Sequence, residues 1–294
     1  MEKAILKTLV YADIFDYPLT VYEIHKWLIG GKATLRQTEK TLEKLNQESR
    51  IKNQAGRYFL PGRIGLVAKR RRREKQSASY FKKAKVLTSI LRIIPWVKLV
   101  GISGGLAMEN ADQNDDIDLF IITSKNKLWF SRLLIIGILD LVGVRRKAKM
   151  KSTRVAGKLC ANILIEEDCL EQKNKDIYTA HEVLQMKVLW ERDGLYNRYL
   201  MDNEWAFKFL PNWTTNLSSR RMSGSNKQKE MVNWIPAFAG MTMEKIAKWF
   251  QLKIMKKPEG MERIEDGALY FHPKDCRPKI LSEYRQKTKK LSST

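Results

Sequence analysis

The sequence predicts an α+β protein with an N-terminal unit of three helices and a hairpin, a central small mixed sheet, and a C-terminal helical region. Three observations indicate this order. Helical apolar spacing followed by a hairpin pattern fills residues 1–62, and a strand, a glycine turn and an acidic strand follow at 97–123. Helical periodicity then dominates residues 171–294. A basic connecting helix at 63–95 separates the first unit from the sheet, which we place at 96–170.

The chain is strongly basic, with 55 Lys and Arg against 32 Asp and Glu and a formal net charge of +23. Such a surface attracts polyanions such as nucleic acid, nucleotides or an anionic membrane, although solvated lysine-rich faces without a ligand are an equally open interpretation. A hydrophobic content of 44% indicates a folded chain. Three cysteines without metal-ligand spacing favour a cytoplasmic location, and the most apolar stretch, 128–144, is too short and too interrupted for a membrane span.

In the N-terminal unit, apolar residues at helical spacing predict a first helix at 4–15, which ends before Pro18. Thr20 and Glu23 have the spacing of a capping box for a second helix. Thr34 is placed to cap a third helix, and residues 50–60 form a hairpin pattern around a glycine turn.

Three helices followed by a hairpin resemble a winged helix-turn-helix. In that family the third helix enters the major groove of DNA, and this implies DNA contacts from Arg36, Gln37, Lys40 and Lys44. A protein-interaction role for the same fold stays open. The basic run at 69–73 in the connecting helix, one lysine followed by four arginines, points in all directions and indicates a solvated connector, with phosphate contact as the alternative.

The central stretch 97–123 carries the chemistry. Asp116 and Asp118 lie two positions apart on one apolar strand, so both side chains project from the same face and offer hard oxygen ligands to Mg²⁺. Gly104 and Gly105 follow the preceding strand, where glycines let backbone N–H groups approach a phosphate. The sequence therefore predicts a metal site and a phosphate site at one edge of the sheet.

The Gly-Gly turn and the Asp-Ile-Asp strand together resemble the motif of the polymerase-β-type nucleotidyltransferase superfamily. The resemblance implies that Asp116 and Asp118 bind Mg²⁺ or Mn²⁺ and that Ser103, Gly104 and Gly105 cradle the triphosphate of an NTP. It further implies transfer of the NMP to an acceptor with release of pyrophosphate. The sheet of this family is expected here with helices on one side.

Active members of that superfamily usually have a third carboxylate on a neighbouring strand, and here the pattern departs from the family. The inward candidate on the strand at 158–165 is Asn162, while Glu166 and Glu167 come only at its end. We take Glu166 as the candidate third catalytic carboxylate. A degenerate nucleotide-binding or DNA-binding regulator is the alternative function, and a toxin–antitoxin partner or RNA-tailing factor would differ only in the acceptor.

The region after 170 contains few chemical motifs. A helix is predicted at 176–189, and its His181 is interpreted as a packed residue rather than a phosphate contact. Further helices are expected at 195–210, 243–255 and 281–290. A polar, glycine-containing stretch near 216–242 indicates a flexible insertion.

Overall fold

A computed structural model describes residues 1–147, 152–213, 237–255, 263–271 and 275–291. Most of the insertion predicted near 216–242 lies outside these ranges. The described chain is a mixed α+β structure with a three-stranded and a six-stranded sheet.

The N-terminal unit packs three helices against a small antiparallel sheet with strand order β1-β3-β2. Its elements are α1 (Glu2–Asp13), β1 (Leu19–Thr20), α2 (Val21–Lys26), α3 (Leu35–Gln47), β2 (Lys52–Gln54) and β3 (Arg57–Phe59). The predicted capping box of Thr20 and Glu23 is confirmed, and Thr34 forms a second one with Gln37. Each box satisfies backbone N–H groups at a helix start and so fixes where α2 and α3 begin.

The connecting helix is α4 (Leu66–Thr88), followed by a 3₁₀ helix, Ser89–Ile93. The sequence indicated that its arginine run is a solvated connector, and this is wrong for Arg70, which is buried. Arg70 forms ion pairs with Glu23 at 2.6 Å and Glu74 at 2.8 Å, and its guanidinium lies 4.1 Å from the Tyr17 ring centroid. Arg70 therefore attaches α4 to α2, whereas the next residue of the run, Arg71, remains exposed.

The larger sheet has the strand order β7-β4-β5-β6-β9-β8, and only β5 and β6 run parallel. Its strands are β4 (Val97–Ile102), β5 (Ile117–Thr123), β6 (Leu159–Glu166), β7 (Lys187–Glu191), β8 (Arg263–Glu265) and β9 (Ala268–Tyr270). The helices around it are α5 (Gly104–Ala107), α6 (Leu128–Leu141), α7 (Ser152–Val155), α8 (Ile177–Gln185), α9 (Leu195–Asp202), α10 (Ala206–Phe209), α11 (Ala237–Ile254) and α12 (Arg277–Lys290).

Both faces of this sheet are covered, so the expectation of helices on one side is wrong. On one face, Val100, Ile121 and Leu164 belong to a core that includes Ile135 and Leu139 of α6. On the other face, Phe120 and Ile165 belong to a core with α8 and α9. Burial on both faces explains why β5 reads as a nearly continuous apolar run.

The C-terminal region contains three strands as well as helices, which differs from the predicted helical region. Helix α8 ends at Gln185 instead of continuing to residue 189, because Lys187–Glu191 pairs with the edge of β4 as β7. Val188 and Trp190 are residue types that favour strands, and pairing with a neighbour overrides the helical spacing that precedes them. The hairpin of β8 and β9 extends the sheet beyond β6.

The most apolar predicted stretch forms α6, which packs against α11 and the sheet. Across the described ranges, none of the helices combines the length and apolar character needed to cross a membrane. The apolar face of α6 is buried inside the protein instead.

Candidate active site

The two aspartates lie where β5 begins. Asp116 immediately precedes the strand and Asp118 is its second residue. The parallel register pairs Asp118 with Cys160 on β6, so the three side chains meet. One ligand atom from each of Asp116, Asp118 and Cys160 lies within 4.8 Å of the others. The expected convergence of the two carboxylates is therefore present in the structure.

The glycine turn packs directly against these acids. The Ser103 N–H donates to the Asp118 carbonyl at 3.0 Å, which joins the end of β4 to the start of β5. Gly104 has φ +63°, and a side chain there would bring its Cβ to 3.2 Å from Asp118 Oδ2. Glycine is therefore required at this position both by the backbone conformation and by the carboxylate beside it.

The predicted phosphate cradle is only partly available. The Ser103 N–H donates to the Asp118 carbonyl, and the Gly104 N–H faces the Glu182 carboxylate and acts to lower its pKa. Ser103 is 4% exposed, and within the described ranges its Oγ has no hydrogen-bond partner. A phosphate at this turn would therefore meet the exposed Gly105 backbone first, because the Ser103 hydroxyl is buried.

Arg146 supplies the counter-charge of the site. Its Nε lies 2.9 Å from Asp116 Oδ2, and its Nη1 lies 3.7 Å from the Cys160 sulfur. The Arg146 N–H donates to the Leu159 carbonyl at 2.9 Å, which holds this residue beside the first residue of β6. A cation is thus already placed against one of the two candidate metal ligands.

Burial and mutual repulsion raise the pKa values of the groups in the cluster. Burial, followed by the charge of Asp116, raises the pKa of Asp118 to about 8. Burial also raises the pKa of Asp116, against the opposing effect of Arg146. The pKa of the Cys160 thiol rises to about 12, first through burial and then through the neighbouring aspartates. Cys160 therefore remains a neutral thiol at pH 7.

A third carboxylate comes from α8 and was missed in the sequence. Glu182 accepts a hydrogen bond at 2.8 Å from Gln185 Nε2, and its carboxylate faces the Gly104 N–H, which acts to lower its pKa. Burial raises the pKa of Glu182 to about 7, and its charge contributes to the raised pKa of Asp118. The one signal in the sequence was that Glu182 is an acid among the apolar residues of 176–189. That signal does not indicate which part of the protein α8 packs against.

The residues proposed from sequence for the third carboxylate lie elsewhere. Glu166 pairs with Thr123 at the far end of β6, six residues beyond Cys160, and its carboxylate accepts from the Leu128 N–H at 3.4 Å. Asn162 is the extra residue at a bulge, because Ala161 pairs with Leu119 and Ile163 with Phe120. The structure thus does not bring Glu166 to the aspartates, and Cys160 rather than Asn162 is the β6 residue that meets them.

The cluster fits Mg²⁺ or Mn²⁺ better than a thiolate-binding metal. Two carboxylates provide two hard oxygen ligands against the single sulfur of Cys160. Mg²⁺ sites commonly use one or two protein carboxylates together with substrate phosphates. Asp116 and Asp118 are therefore the residues that would hold the ion.

Comparison with known proteins adds no assignment. No protein-family model matches the chain, and no curated protein sequence matches it. The functional argument consequently rests on the geometry of Asp116, Asp118 and their neighbours.

Replacing Arg146 with methionine is expected to tighten Mn²⁺ binding in the absence of nucleotide. The guanidinium competes with a cation for Asp116, and an ion pair of this exposure contributes up to about 1 kcal/mol, or a two- to fivefold change in Kd. Calorimetric Mn²⁺ titration measures the change. Arg145→Met is the control, because Arg145 pairs with Asp140 instead. Weaker Mn²⁺ binding in Arg146→Met would contradict the competition.

The packing interpretation of His181 agrees with its position. The imidazole is 5% exposed and stacks on Tyr11 at 4.2 Å between centroids and on Trp27 at 5.2 Å. Burial lowers its pKa to about 3, so the ring is neutral at pH 7. A neutral ring provides no charge for the phosphate contact that the sequence left open.

We expect His181 to make the protein less stable in acid. Between about pH 3 and 6.5 the unfolded chain binds a proton that the folded chain rejects, so stability falls as the pH drops below 6.5. His181→Phe keeps an aromatic ring between Tyr11 and Trp27 without this proton. Urea unfolding should show that the loss of stability from pH 7.5 to 4.5 is smaller in the variant by about 2–3 kcal/mol. Equal losses in both proteins would disprove the assignment.

Proposed function

We propose that this protein is a nucleotidyltransferase that transfers an NMP from an NTP to an acceptor hydroxyl with release of pyrophosphate. The observation that carries the proposal is the convergence of Asp116 and Asp118 within 4.8 Å, beside a glycine turn whose Gly104 lies against Asp118. This arrangement resembles the motif of polymerase-β-type nucleotidyltransferases, and it joins a site for a divalent cation to a turn that approaches phosphates closely.

In this proposal Asp116 and Asp118 hold a divalent cation, which supplies charge neutralisation on the triphosphate when bound. Arg146 provides a second positive charge beside Asp116 for phosphate oxygens. Ser103 and Gly105 line the turn where the phosphates approach. These groups position and neutralise the triphosphate, which is most of what phosphoryl transfer requires from a protein.

Glu182 is the base that the geometry favours. Its pKa of about 7 suits it to take a proton from an acceptor hydroxyl near neutral pH. Glu182 also lines a cleft of about 140 Å³ together with Tyr178, Tyr270 and Arg277. An acceptor entering this cleft would approach the aspartates past Glu182.

The test is titration of the protein with ATP, GTP, CTP and UTP in the presence of Mg²⁺ or EDTA, followed by an assay for pyrophosphate. We expect calorimetric binding of at least one NTP that depends on the divalent cation, and slow pyrophosphate release that increases when the acceptor is present. Absence of cation-dependent binding for all four NTPs would overturn the proposal.

A DNA-binding or nucleotide-binding regulator is the second candidate. One observation favours it: Cys160, and not a carboxylate, stands opposite Asp118 on β6. The N-terminal unit has the order of helices and strands of a winged helix, and its α3 exposes Arg36 and Lys40. Lys44, also predicted to contact DNA, instead pairs with Glu2 at 2.7 Å.

A DNA-binding measurement distinguishes a DNA-binding regulator from a nucleotidyltransferase that does not bind DNA through α3. If α3 lies in a DNA groove, the double variant Arg36→Ala, Lys40→Ala should reduce the slope of log K against log salt by about 2. Glu39→Gln on the same exposed helix surface is the control. Equal salt slopes for the double variant and the unaltered protein would remove α3 from the interface.

A further inference from the structure

A second cavity lies between the N-terminal helices and the larger sheet, away from the aspartates. Its volume is about 170 Å³. Residues of α1, α2 and α8 form most of its wall, and those used below are Tyr11, Lys26, Trp27, His181, Gln185 and Lys187. The space exceeds that of a few waters, at about 30 Å³ each, and is the size of one planar heterocycle.

Two side chains in this wall have an unsatisfied polar atom. His181 is 5% exposed and Gln185 is 7% exposed. Within the described part of the chain, His181 Nε2 and Gln185 Oε1 are both buried without a hydrogen-bond partner. An unpaired buried polar atom costs about 1–3 kcal/mol, so two of them beside one cavity favour a ligand with a polar edge.

The aromatic part of the wall is suited to a flat ring. Tyr11, His181 and Trp27 form a continuous stack, in which the Tyr11 and His181 planes differ by 11° and the His181 and Trp27 planes by 29°. His181 is neutral, so the Nε2 edge of its ring offers one donor or acceptor to a ligand, while Tyr11 and Trp27 stack on the ring itself. A base with both N–H donors and ring nitrogens matches His181 and Gln185 together.

One positive charge at the mouth has no acidic partner. Lys187 pairs with Glu109 at 2.5 Å, and Glu23, also in the wall, pairs with Arg70 at 2.6 Å. The exposed Lys26 forms no ion pair with any residue in the described ranges, and its Nζ lies 5.1 Å from the Trp27 ring centroid. This excess charge favours an anionic group attached to the ring.

We propose that this cavity binds a nucleoside monophosphate, with the base against His181 and Gln185 and the phosphate at Lys26. The cavity holds a base but not a whole nucleotide, so the phosphate stays at the mouth where Lys26 lies. Gln185 Nε2 also donates to Glu182 Oε1 at 2.8 Å, so the ligand is one side chain away from the candidate active site. The site does not depend on the proposed transferase activity.

The test is calorimetric titration with AMP, GMP, CMP and UMP in EDTA, with the matching nucleosides and inorganic phosphate as separate arms. We expect one or more monophosphates to bind with a Kd below about 1 mM. His181→Phe and Gln185→Met should each weaken binding by about tenfold. Lys26→Met should weaken the monophosphate about fivefold and leave its nucleoside unchanged. Tyr22→Phe, at an exposed position of α2, is the control.

The double variant Asp116→Asn, Asp118→Asn separates this site from the proposed transferase site and should bind the monophosphate unchanged. If that variant loses binding while His181→Phe and Gln185→Met retain it, the nucleotide binds at the aspartates and the proposal is wrong. Failure of every monophosphate, or phosphate alone binding equally well, also overturns it. If thermal melting shows that His181→Phe and Gln185→Met are unfolded, the effect of Lys26→Met on monophosphate binding is the test of the proposal.

Discussion

The double variant Asp116→Asn, Asp118→Asn should lose cation-dependent NTP binding and lower pyrophosphate release by at least about a thousandfold. Both carboxylates contribute oxygens to one cluster of ligand atoms within 4.8 Å, and an amide in each place offers a neutral ligand of similar shape. The loss therefore reports the missing charge rather than a missing volume. Calorimetry with Mg²⁺ and NTP measures binding, and a coupled pyrophosphate assay measures turnover.

Asp202→Asn is the matched control, because Asp202 is an exposed residue at the end of α9. It changes the net charge in the same direction but does not alter the cluster. Retained turnover in the double variant, or an equal loss in the control, would exclude Asp116 and Asp118 as the ion-binding carboxylates.

The single variant Asp118→Asn should not lose binding through unfolding, because it is expected to stabilise the metal-free protein. Burial raises the pKa of Asp118 to about 8, so the folded chain binds a proton there that the unfolded chain releases above about pH 4. The amount by which Asp118 lowers the free energy of unfolding therefore grows as the pH rises from about 4 to 8. At pH 7.5 the asparagine variant should gain about 2–4 kcal/mol in urea unfolding. A less stable variant would contradict this electrostatic account.

The position of the acidic pair could be predicted because it depends on local chain order. A strand, a glycine turn and a second strand with Asp116 and Asp118 two positions apart leave few arrangements once the strands pair. The structure places Gly104 against Asp118, as the order of these residues suggested. The helix starts at Thr20 and Thr34 were also predictable, since a capping box lies within four residues.

The third carboxylate could not be predicted because its position depends on contacts far apart in the chain. Glu182 reaches Gly104 only because α8 packs on the face of the sheet that carries Asp118. The bulge at Asn162 shifts the register of β6 by one residue. Asn162 is therefore left out of the pairing between β6 and β5. Neither feature has a local pattern in the sequence.

Strand β7 illustrates the same limit. The helix predicted at 176–189 included residues 187–189, yet these belong to β7, Lys187–Glu191, which pairs with the edge of β4. The strand then returns the chain to the sheet directly after Gln185, which places α8 beside the site. The position of α8 beside the candidate site thus depends on the pairing of β7 with β4, which the periodicity of the sequence does not predict.

Arg70→Met should lower the free energy of unfolding by about 3 kcal/mol, because it leaves the half-buried Glu23 without its counter-charge and the Pro18 carbonyl without its donor. Arg70 is 2% exposed and bonds both oxygens of Glu23, one oxygen of Glu74 and the Pro18 carbonyl. Methionine fills part of the space beside Tyr17 but donates no hydrogen bonds. Urea unfolding of the full chain at pH 7.5 measures the loss.

Arg71→Met is the matched control, since it removes the next arginine of the same run from an exposed position and should change stability by less than about 0.5 kcal/mol. Restoring partial stability to Arg70→Met by the added change Glu23→Gln would show that the loss comes from the uncompensated carboxylate, because the amide carries no charge. If Arg70→Met and Arg71→Met are equally stable, the arginine run is a solvated connector after all, and the attachment of α4 to α2 must come from apolar contacts such as Leu66 and Val67.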